Sequence, residues 1–220
     1  MRLTTIALLA AAWCLPTEAD LLYDVACPGV NNELKCPKGH MIKVTSITSG
    51  AQHASICAAR HQQAPVARAN CFHAGMLPWI KSVCNDWEYC RLPKPNSRMF
   101  ICNYTPETFM QVSYMCQKKS DDLRTIVACE GETAKVKCDK GVIKVKKANY
   151  GRLDNQTCLK HKPNRPTKMT FCMSYSATAT VEYMCNGKQK CDFNVKTEIL
   201  GVAWNCDKNP KYLKLHYVCQ

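Results

Sequence analysis

Sixteen cysteines of this chain repeat one spacing pattern twice, and this repeat limits the possible folds more than any other feature. Successive gaps are 9, 21, 14, 13, 6, 12 and 14 residues in the first copy, then 9, 20, 14, 13, 6, 15 and 13 in the second. Agreement over seven intervals indicates an internal duplication. Eight cysteines per copy suit a closed disulfide framework, and each copy of about 100 residues has the size of one small domain.

The one remaining cysteine, Cys14, lies in an N-terminal segment typical of a secretory signal peptide. Arg2 precedes an apolar run from Leu3 to Leu15, and small residues surround Glu18. We expect cleavage after Ala19, which makes the mature protein secreted and extracellular, in a compartment where cysteines pair. The apolar run is too short to span a bilayer, so no membrane insertion is expected.

The two copies have equal numbers of cysteines but very different net charges. Residues 20–117 hold 9 Lys and Arg against 6 Asp and Glu, whereas residues 118–220 hold 20 against 10. Most of the net charge of +13 therefore belongs to the second copy, which bears on partners rather than on fold. We predict a signal peptide at 1–19, an N-terminal domain at 20–117, a short polar linker at 118–122 and a C-terminal domain at 123–220.

Apolar and charged residues alternate from Lys135 to Arg152 on both sides of Asp139-Lys140-Gly141, which predicts a β-hairpin. Its inward residues would be Val136, Cys138, Ile143 and Val145. Its outward residues would be Lys135, Lys137, Lys144 and Lys146, with Lys140 and Lys147 beside them. Residues 148–152 would then form a polar-aromatic turn that carries the chemistry. A weaker hairpin of the same kind is predicted around Pro37-Lys38-Gly39 in the first copy.

The pattern elsewhere predicts a short helix over 176–184 and strands over 190–195 and 211–218. Trp87, inside the short loop between Cys84 and Cys90, is interpreted as packing under that loop. The fold class is therefore α+β: two tandem small disulfide-rich domains, each an antiparallel β-sandwich-like unit with one or two short helices.

These features resemble the galactose- and rhamnose-binding lectin family, the sea-urchin egg lectin type of domain. The resemblance covers essentially the whole mature chain through the cysteine spacing of both copies. In the second copy it adds Glu130 after the first cysteine, Tyr150-Gly151-Arg152, Cys185-Asn186-Gly187 and Lys211-Tyr212-Leu213.

The resemblance implies a disulfide pairing that spacing alone leaves open among 105 possibilities. In the second copy the implied pairs are Cys129–Cys158, Cys138–Cys219, Cys172–Cys206 and Cys185–Cys191. In the first copy they are Cys27–Cys57, Cys36–Cys116, Cys71–Cys102 and Cys84–Cys90.

The resemblance also implies a sugar site made by Glu130, Tyr150, Gly151 and Lys211. A carboxylate accepts hydrogen bonds from neighbouring sugar hydroxyls, an ammonium donates to another, and an aromatic can cover the apolar face of the ring. Arg152 is interpreted as a structural partner of a nearby carboxylate. The possible supporting residues are Asn149, Arg152, Thr197, Trp204 and Asn205.

The sequence departs from the family pattern around this site. Thr197 stands where the family has a ligand Asn, Lys208 where it has Gly, and Trp204-Asn205 where it has Asp-Pro before the seventh cysteine. The first copy departs further, with Pro28 for the Glu, Ser49 for the Tyr and Thr108 for the Lys. We therefore expect only the C-terminal copy to bind the family's sugars.

Other functions stay open at this stage. The lysines of the predicted hairpin, Lys135, Lys137, Lys144 and Lys146, would suit a sulfated glycosaminoglycan or an acidic protein partner, although such a face is also an ordinary solvated surface. The chain lacks the common catalytic and zinc-site motifs, so neither an enzyme nor a metal or other cofactor is expected. A secreted protein is not expected to meet nucleic acid, and the oligomeric state is open. Asn103 and Asn155 begin N-glycosylation sequons.

Overall fold

The computed structural model describes residues 21–27, 32–51, 72–95, 97–99, 101, 108–154, 156–159, 172–203, 206 and 209–220. Several predictions fall on positions outside these residues. They concern the signal peptide at 1–19, the half-cystines Cys57, Cys71 and Cys102, the sequon residues Asn103 and Asn155, and the loop residues Trp204 and Asn205.

The described residues of the first half form five strands, one α-helix and a short 3₁₀ turn. The elements are β1 (Leu22–Ala26), β2 (Glu33–Lys35), β3 (His40–Ala51), α1 (Met76–Cys84), β4 (Tyr89–Arg91), a 3₁₀ turn (Ser97–Met99) and β5 (Thr108–Lys118). Strands β1, β5 and β3 make an antiparallel sheet in that order, and β2 pairs separately with β4.

The described residues of the second half repeat this arrangement. The elements are β6 (Arg124–Cys129), β7 (Thr133–Lys137), β8 (Ile143–Arg152), β9 (Cys172–Met173), α2 (Ala177–Cys185), β10 (Lys190–Asn194), α3 (Thr197–Leu200) and β11 (Tyr212–Cys219). The main sheet has the order β6, β11, β8 and β9, and β7 pairs separately with β10. The described residues thus combine many strands with few short helices, as the α+β prediction required.

The predicted hairpin between residues 135 and 152 is wrong. Strand β7 pairs with β10, where Val136 faces Cys191, whereas β8 pairs with β11, where Tyr150 faces Leu213. The chain therefore crosses from one sheet to another near Asp139. The pairing of β2 with β4 and of β3 with β5 shows the same crossing in the first half.

Alternation nevertheless predicted the burial of these strands correctly. The four inward residues are at most 3% exposed, and the four outward lysines are exposed. The predicted turn over residues 148–152 is also wrong, because β8 continues without interruption to Arg152.

Six disulfides join described residues: Cys36–Cys116, Cys84–Cys90, Cys129–Cys158, Cys138–Cys219, Cys172–Cys206 and Cys185–Cys191. All six are among the pairs that the family resemblance implied. The implied pairs Cys27–Cys57 and Cys71–Cys102 each include a residue outside the described part. Each half forms an apolar core, which includes Ile42, Ile80 and Met110 in the first and Ile143, Val181 and Leu215 in the second. Met173 of the second half packs with the first core.

A third, smaller apolar cluster joins the two halves. Trp87 from the first half packs against Leu153 and Tyr212 from the second, and the His216 ring lies 4.6 Å from the Trp87 ring, centroid to centroid. Lys147 completes this contact by donating to the backbone carbonyls of Ser82 (2.8 Å) and Asn85, at the end of α1.

The burial of Lys147 corrects the sequence interpretation, which placed this residue beside an exposed basic face. A register shift between His216 and Tyr217 of β11 is matched by one extra residue in β8, after Val145. Such a bulge changes the face on which later residues lie. Lys147 is consequently on the face that the first half covers, and it is only 8% exposed. No helix within the described ranges is long and apolar enough to cross a membrane.

Candidate functional site

Three predicted residues, Glu130, Tyr150 and Lys211, meet at one point on the second half. The Lys211 ammonium lies 2.9 Å from Oε1 of Glu130, and the Tyr150 hydroxyl donates to the same oxygen at 2.6 Å. The hydroxyl of Thr197 lies 3.0 Å from the Tyr150 hydroxyl and extends the group to four residues. These side chains come from four separate segments, so only the folded sheet brings them together.

The pairing of β6 with β11 explains how Glu130 and Lys211 meet. Glu130 follows β6 directly, and Lys211 directly precedes β11. Because the two strands are antiparallel, these ends are neighbours, and the Glu130 N–H donates to the Lys211 carbonyl at 2.9 Å. The Cys129–Cys158 disulfide fixes the residue next to Glu130.

The electrostatics of the site favour a charged pair beside a neutral phenol. Burial opposes ionisation of Glu130, but hydrogen bonds from Tyr150 and Lys211 outweigh it and hold the pKa of the carboxyl below its ordinary value. Burial, and then the Glu130 carboxylate, raise the pKa of the Tyr150 hydroxyl. The site therefore presents a carboxylate that pairs with Lys211 and accepts a hydrogen bond from an un-ionised phenol.

Tyr150 cannot supply the sugar-stacking surface that the sequence interpretation allowed. Its side chain is fully buried in the second core, and only its hydroxyl reaches the site. The side chains of Glu130 and Lys211 remain 33% and 16% exposed, respectively. Tyr150 is thus a positioning residue for Glu130, and the exposed part of the site is the acid and the amine.

Gly151 adjoins the site, and its role is to leave space for a neighbouring strand. Its φ is +152°, and a Cβ added there would lie 2.1 Å from the Cys172 carbonyl oxygen. The residue pairs with Met173 of β9, so the absence of a side chain lets β9 approach β8. Gly151 supports the strand that holds Tyr150 and has no side chain to contact a ligand.

Two predicted supporting residues lie away from the site. Arg152 is 1% exposed and donates to the backbone carbonyls of Pro210, Asp154 and Thr157, which is a structural role. Among the described residues its partners are these carbonyls rather than a carboxylate. Asn149 is fully buried on the opposite face of β8 from Tyr150, since successive residues of a strand alternate.

The exposed groups at the site suit a ligand with neighbouring hydroxyls. The Glu130 carboxylate has acceptor capacity beyond its bonds to Tyr150 and Lys211, and the Lys211 ammonium has three donor hydrogens. A sugar diol can donate to the first and accept from the second, with charge-assisted hydrogen bonds in both directions. Among the described residues, no group of three or more His, Cys, Asp and Glu is placed to hold a metal ion.

The lysines proposed as a polyanion-binding face do not share one sheet. Lys135 and Lys137 lie on β7, whereas Lys144 and Lys146 lie on β8 in the four-stranded sheet. The sequence interpretation also missed the junction residues Lys147 and His216, because nothing in the local pattern shows that the first half covers that face.

Known proteins resemble this chain in the same region. Residues 136–219 match the family model of the D-galactoside/L-rhamnose binding SUEL lectin domain. The chain is 30% identical over 138 residues to the L-rhamnose-binding lectin CSL1 of Oncorhynchus keta, covering 62% of this chain and 46% of that protein. It is 25% identical over 198 residues to the rhamnose-binding lectin of Silurus asotus, covering 90% and 61%.

A third relative shows that such sequences occur in proteins with other names. The chain is 26% identical over 198 residues to protein eva-1 homolog C of Homo sapiens, covering 88% of this chain and 44% of that protein. The chain thus spans about half the length of the curated relatives it matches. The family-model match begins six residues after Glu130 and includes Tyr150, Thr197 and Lys211.

Proposed function

We propose that this protein is a secreted lectin for galactose- or rhamnose-type sugars, because residues 136–219 match the family model of the D-galactoside/L-rhamnose binding SUEL lectin domain. The observation that carries the proposal is the contact of Lys211 with Glu130 at 2.9 Å, at a position where both side chains reach solvent. The names of the two rhamnose-binding relatives support the same substrate class.

Each residue of the site has a distinct role in this proposal. The Glu130 carboxylate accepts hydrogen bonds from sugar hydroxyls, and the Lys211 ammonium donates to another sugar oxygen. Tyr150 holds Glu130 in place through the 2.6 Å hydrogen bond, and Thr197 holds the Tyr150 hydroxyl through the 3.0 Å contact. Because Glu130 and Lys211 hold each other in position, little rearrangement is needed on sugar binding, which keeps the ordering cost low.

The proposal assigns one sugar site to each chain. The first half has Pro28, Ser49 and Thr108 at the positions equivalent to Glu130, Tyr150 and Lys211. We assign the N-terminal domain to 20–117 and the sugar-binding domain to 123–220, joined by the linker at 118–122. A single-site chain cross-links glycoproteins on cell surfaces only as an oligomer, since avidity requires at least two engaged sites.

The experiment that tests this function is a calorimetric titration of the oxidised full chain with L-rhamnose and with D-galactose. We expect at least one of the two sugars to bind. The Lys211→Ala variant should bind it ~10- to 150-fold more weakly, because loss of a charge-assisted hydrogen bond costs about 1.5–3 kcal/mol.

Lys188→Ala is the matched control for this titration. Lys188 is an exposed lysine of the same half and has the same charge, but it lies in the loop after α2. Its removal should leave sugar affinity unchanged. Equal weakening in the two variants, or no binding of either sugar to the wild-type chain, would contradict the proposal.

A further inference from the structure

A second cleft lies where the two halves meet, away from the Glu130 site. It has a volume of about 530 Å³ and is lined by residues from both halves and from the segment that joins them. The wall residues that matter here are Lys43, Asp86, Lys118, Lys119, Lys146 and His216. His216 lies five residues beyond Lys211 along the same strand, a distance of about 17 Å.

The cleft is basic, and among the described residues only one of its four lysines, Lys43, has an acidic partner. Lys43 pairs with Asp86 at 2.5 Å, and Lys119 donates to the Thr125 hydroxyl at 3.2 Å. Lys118 and Lys146 are exposed, and no carboxylate of the described residues lies within ion-pair distance of either. Asp122 also lines the cleft but forms no ion pair with these lysines. The four lysines outnumber the two carboxylates, and a bound anion would reduce the repulsion that remains between them.

A buried polar atom at the cleft gives independent evidence for a ligand. His216 lines the cleft and is 2% exposed, and its Nδ1 has no hydrogen-bond partner among the residues that the structure describes. A buried polar atom without a partner costs about 1–3 kcal/mol. A ligand oxygen or hydroxyl in the cleft can supply the missing hydrogen bond.

The apolar part of the lining indicates more than a site for a small inorganic ion. Met41, Leu123 and Val218 contribute to the same wall. Volumes of about 300–1,000 Å³ are typical of sites for organic ligands. Gln220 also lines the cleft, and its backbone oxygen accepts a hydrogen bond from the Val142 N–H at 2.7 Å.

We propose that this cleft binds a sulfated sugar unit, with Lys118 and Lys146 as the principal contacts. Their ammonium groups donate charge-assisted hydrogen bonds to sulfate oxygens, while the sugar ring lies against the apolar wall. The net charge of +13 attracts such a polyanion from a distance. The site is separate from the Glu130 site, so a longer sulfated glycan can occupy it whether or not a neutral sugar is bound.

The experiment measures binding of a heparin-derived tetrasaccharide to the oxidised full chain in low-salt and physiological-salt buffers. The Lys118→Ala/Lys146→Ala double variant removes both principal contacts. It should bind ~10- to 100-fold more weakly, as expected for the loss of two charged contacts on a partly exposed surface.

The Lys135→Ala/Lys137→Ala double variant is the matched control. It removes the same charge from two exposed lysines of β7, on a separate sheet. Its affinity should change by less than about threefold, because only long-range attraction is reduced. Thermal unfolding of both variants, compared with the wild type, checks that the fold is kept.

Several outcomes would overturn the proposal. These are equal weakening in the two double variants, absence of tetrasaccharide binding by the wild type, equal binding of an unsulfated tetrasaccharide, and competition by inorganic sulfate at the same concentration. Saturating L-rhamnose should leave tetrasaccharide affinity unchanged. A failure of the rhamnose site is therefore distinguishable from a failure of this one.

Discussion

The two halves of this molecule place different side chains on matching backbone positions. Tyr150 faces Leu213 across β8 and β11, and Ser49 faces Met110 across β3 and β5. In each half the second residue of the pair lies six positions before the last cysteine. The backbone pairing thus persists where the polar group has changed, so the scaffold does not depend on the site.

The contact between the two halves also has different side chains at equivalent positions of the two copies. Trp87 and Lys188 each lie three residues after the fifth cysteine of their copy, yet Trp87 is buried against the other half and Lys188 is exposed. His216 and Ser113 occupy equivalent positions on β11 and β5. The contact therefore uses a different surface from each copy, as a heterologous interface does.

Breaking the close approach of β9 to β8 should have the largest effect. We expect Gly151→Ala to lower the free energy of unfolding by about 3–5 kcal/mol, because the new Cβ meets the Cys172 carbonyl at 2.1 Å and the backbone is strained. Urea denaturation of the oxidised protein measures this. Gly187→Ala has a positive φ of 77° but nothing within 4 Å of the added Cβ, so it should cost only about 1 kcal/mol. Similar costs for the two variants would refute the role of close approach.

Separating the halves should have the next largest effect. Trp87→Ala removes the indole between the two copies and should cost about 3 kcal/mol in the free energy of unfolding, as for other large buried aromatics. Lys188→Ala, at the equivalent position of the second copy, should change it by less than about 0.5 kcal/mol. Calorimetric unfolding of both variants makes the comparison, and an equal effect would show that Trp87 does not couple the halves.

The sequence predicted the residues that face inward better than it predicted their partners. Cysteine spacing and alternation place Val136 and Ile143 in the core, and both are fully buried. Alternation reports only which face a residue occupies, so it could not show that β7 and β8 belong to different sheets. The hairpin prediction failed for this reason.

For the candidate site, too, the sequence predicted some features, whereas others depend on tertiary packing. The sequence pattern singled out Glu130, Tyr150 and Lys211, and the fold brings Tyr150 and Lys211 within hydrogen-bonding distance of Glu130. The sequence pattern could not show that the Tyr150 ring is buried or that Lys147 lies under the first half. Both facts depend on tertiary packing, through the bulge in β8 and the position of Trp87.

His216 makes the junction sensitive to acid. Burial, and then the charges of Lys214 and Lys119, lower the pKa of His216 to about 3 despite the opposing Asp86, while Lys147 faces it from β8. The folded state then binds fewer protons than the unfolded state between pH 6.5 and about 3, so stability falls as the pH is lowered through that window.

We expect His216 to contribute about 2–3 kcal/mol to the stability lost between pH 7 and pH 4. The His216→Gln variant should lose correspondingly less stability than the wild type over that range, as measured by urea denaturation at each pH. His73→Gln changes an exposed histidine and should follow the wild-type profile. If the His216 variant also follows that profile, the junction is not the source of the acid sensitivity.

The smallest expected effect tests how Tyr150 acts at the proposed sugar site. Tyr150→Phe keeps the buried ring and removes the hydroxyl that donates to Glu130 at 2.6 Å, so we expect a ~3- to 10-fold loss of sugar affinity. That hydroxyl also helps to lower the pKa of Glu130, so the acid limb of the binding profile should move to higher pH. Tyr217→Phe removes a hydroxyl that bonds to the Lys137 carbonyl, in the same half but outside the site, and should change neither quantity. A loss of affinity without the pH shift would mean that Tyr150 supports the fold around Glu130 rather than its ionisation.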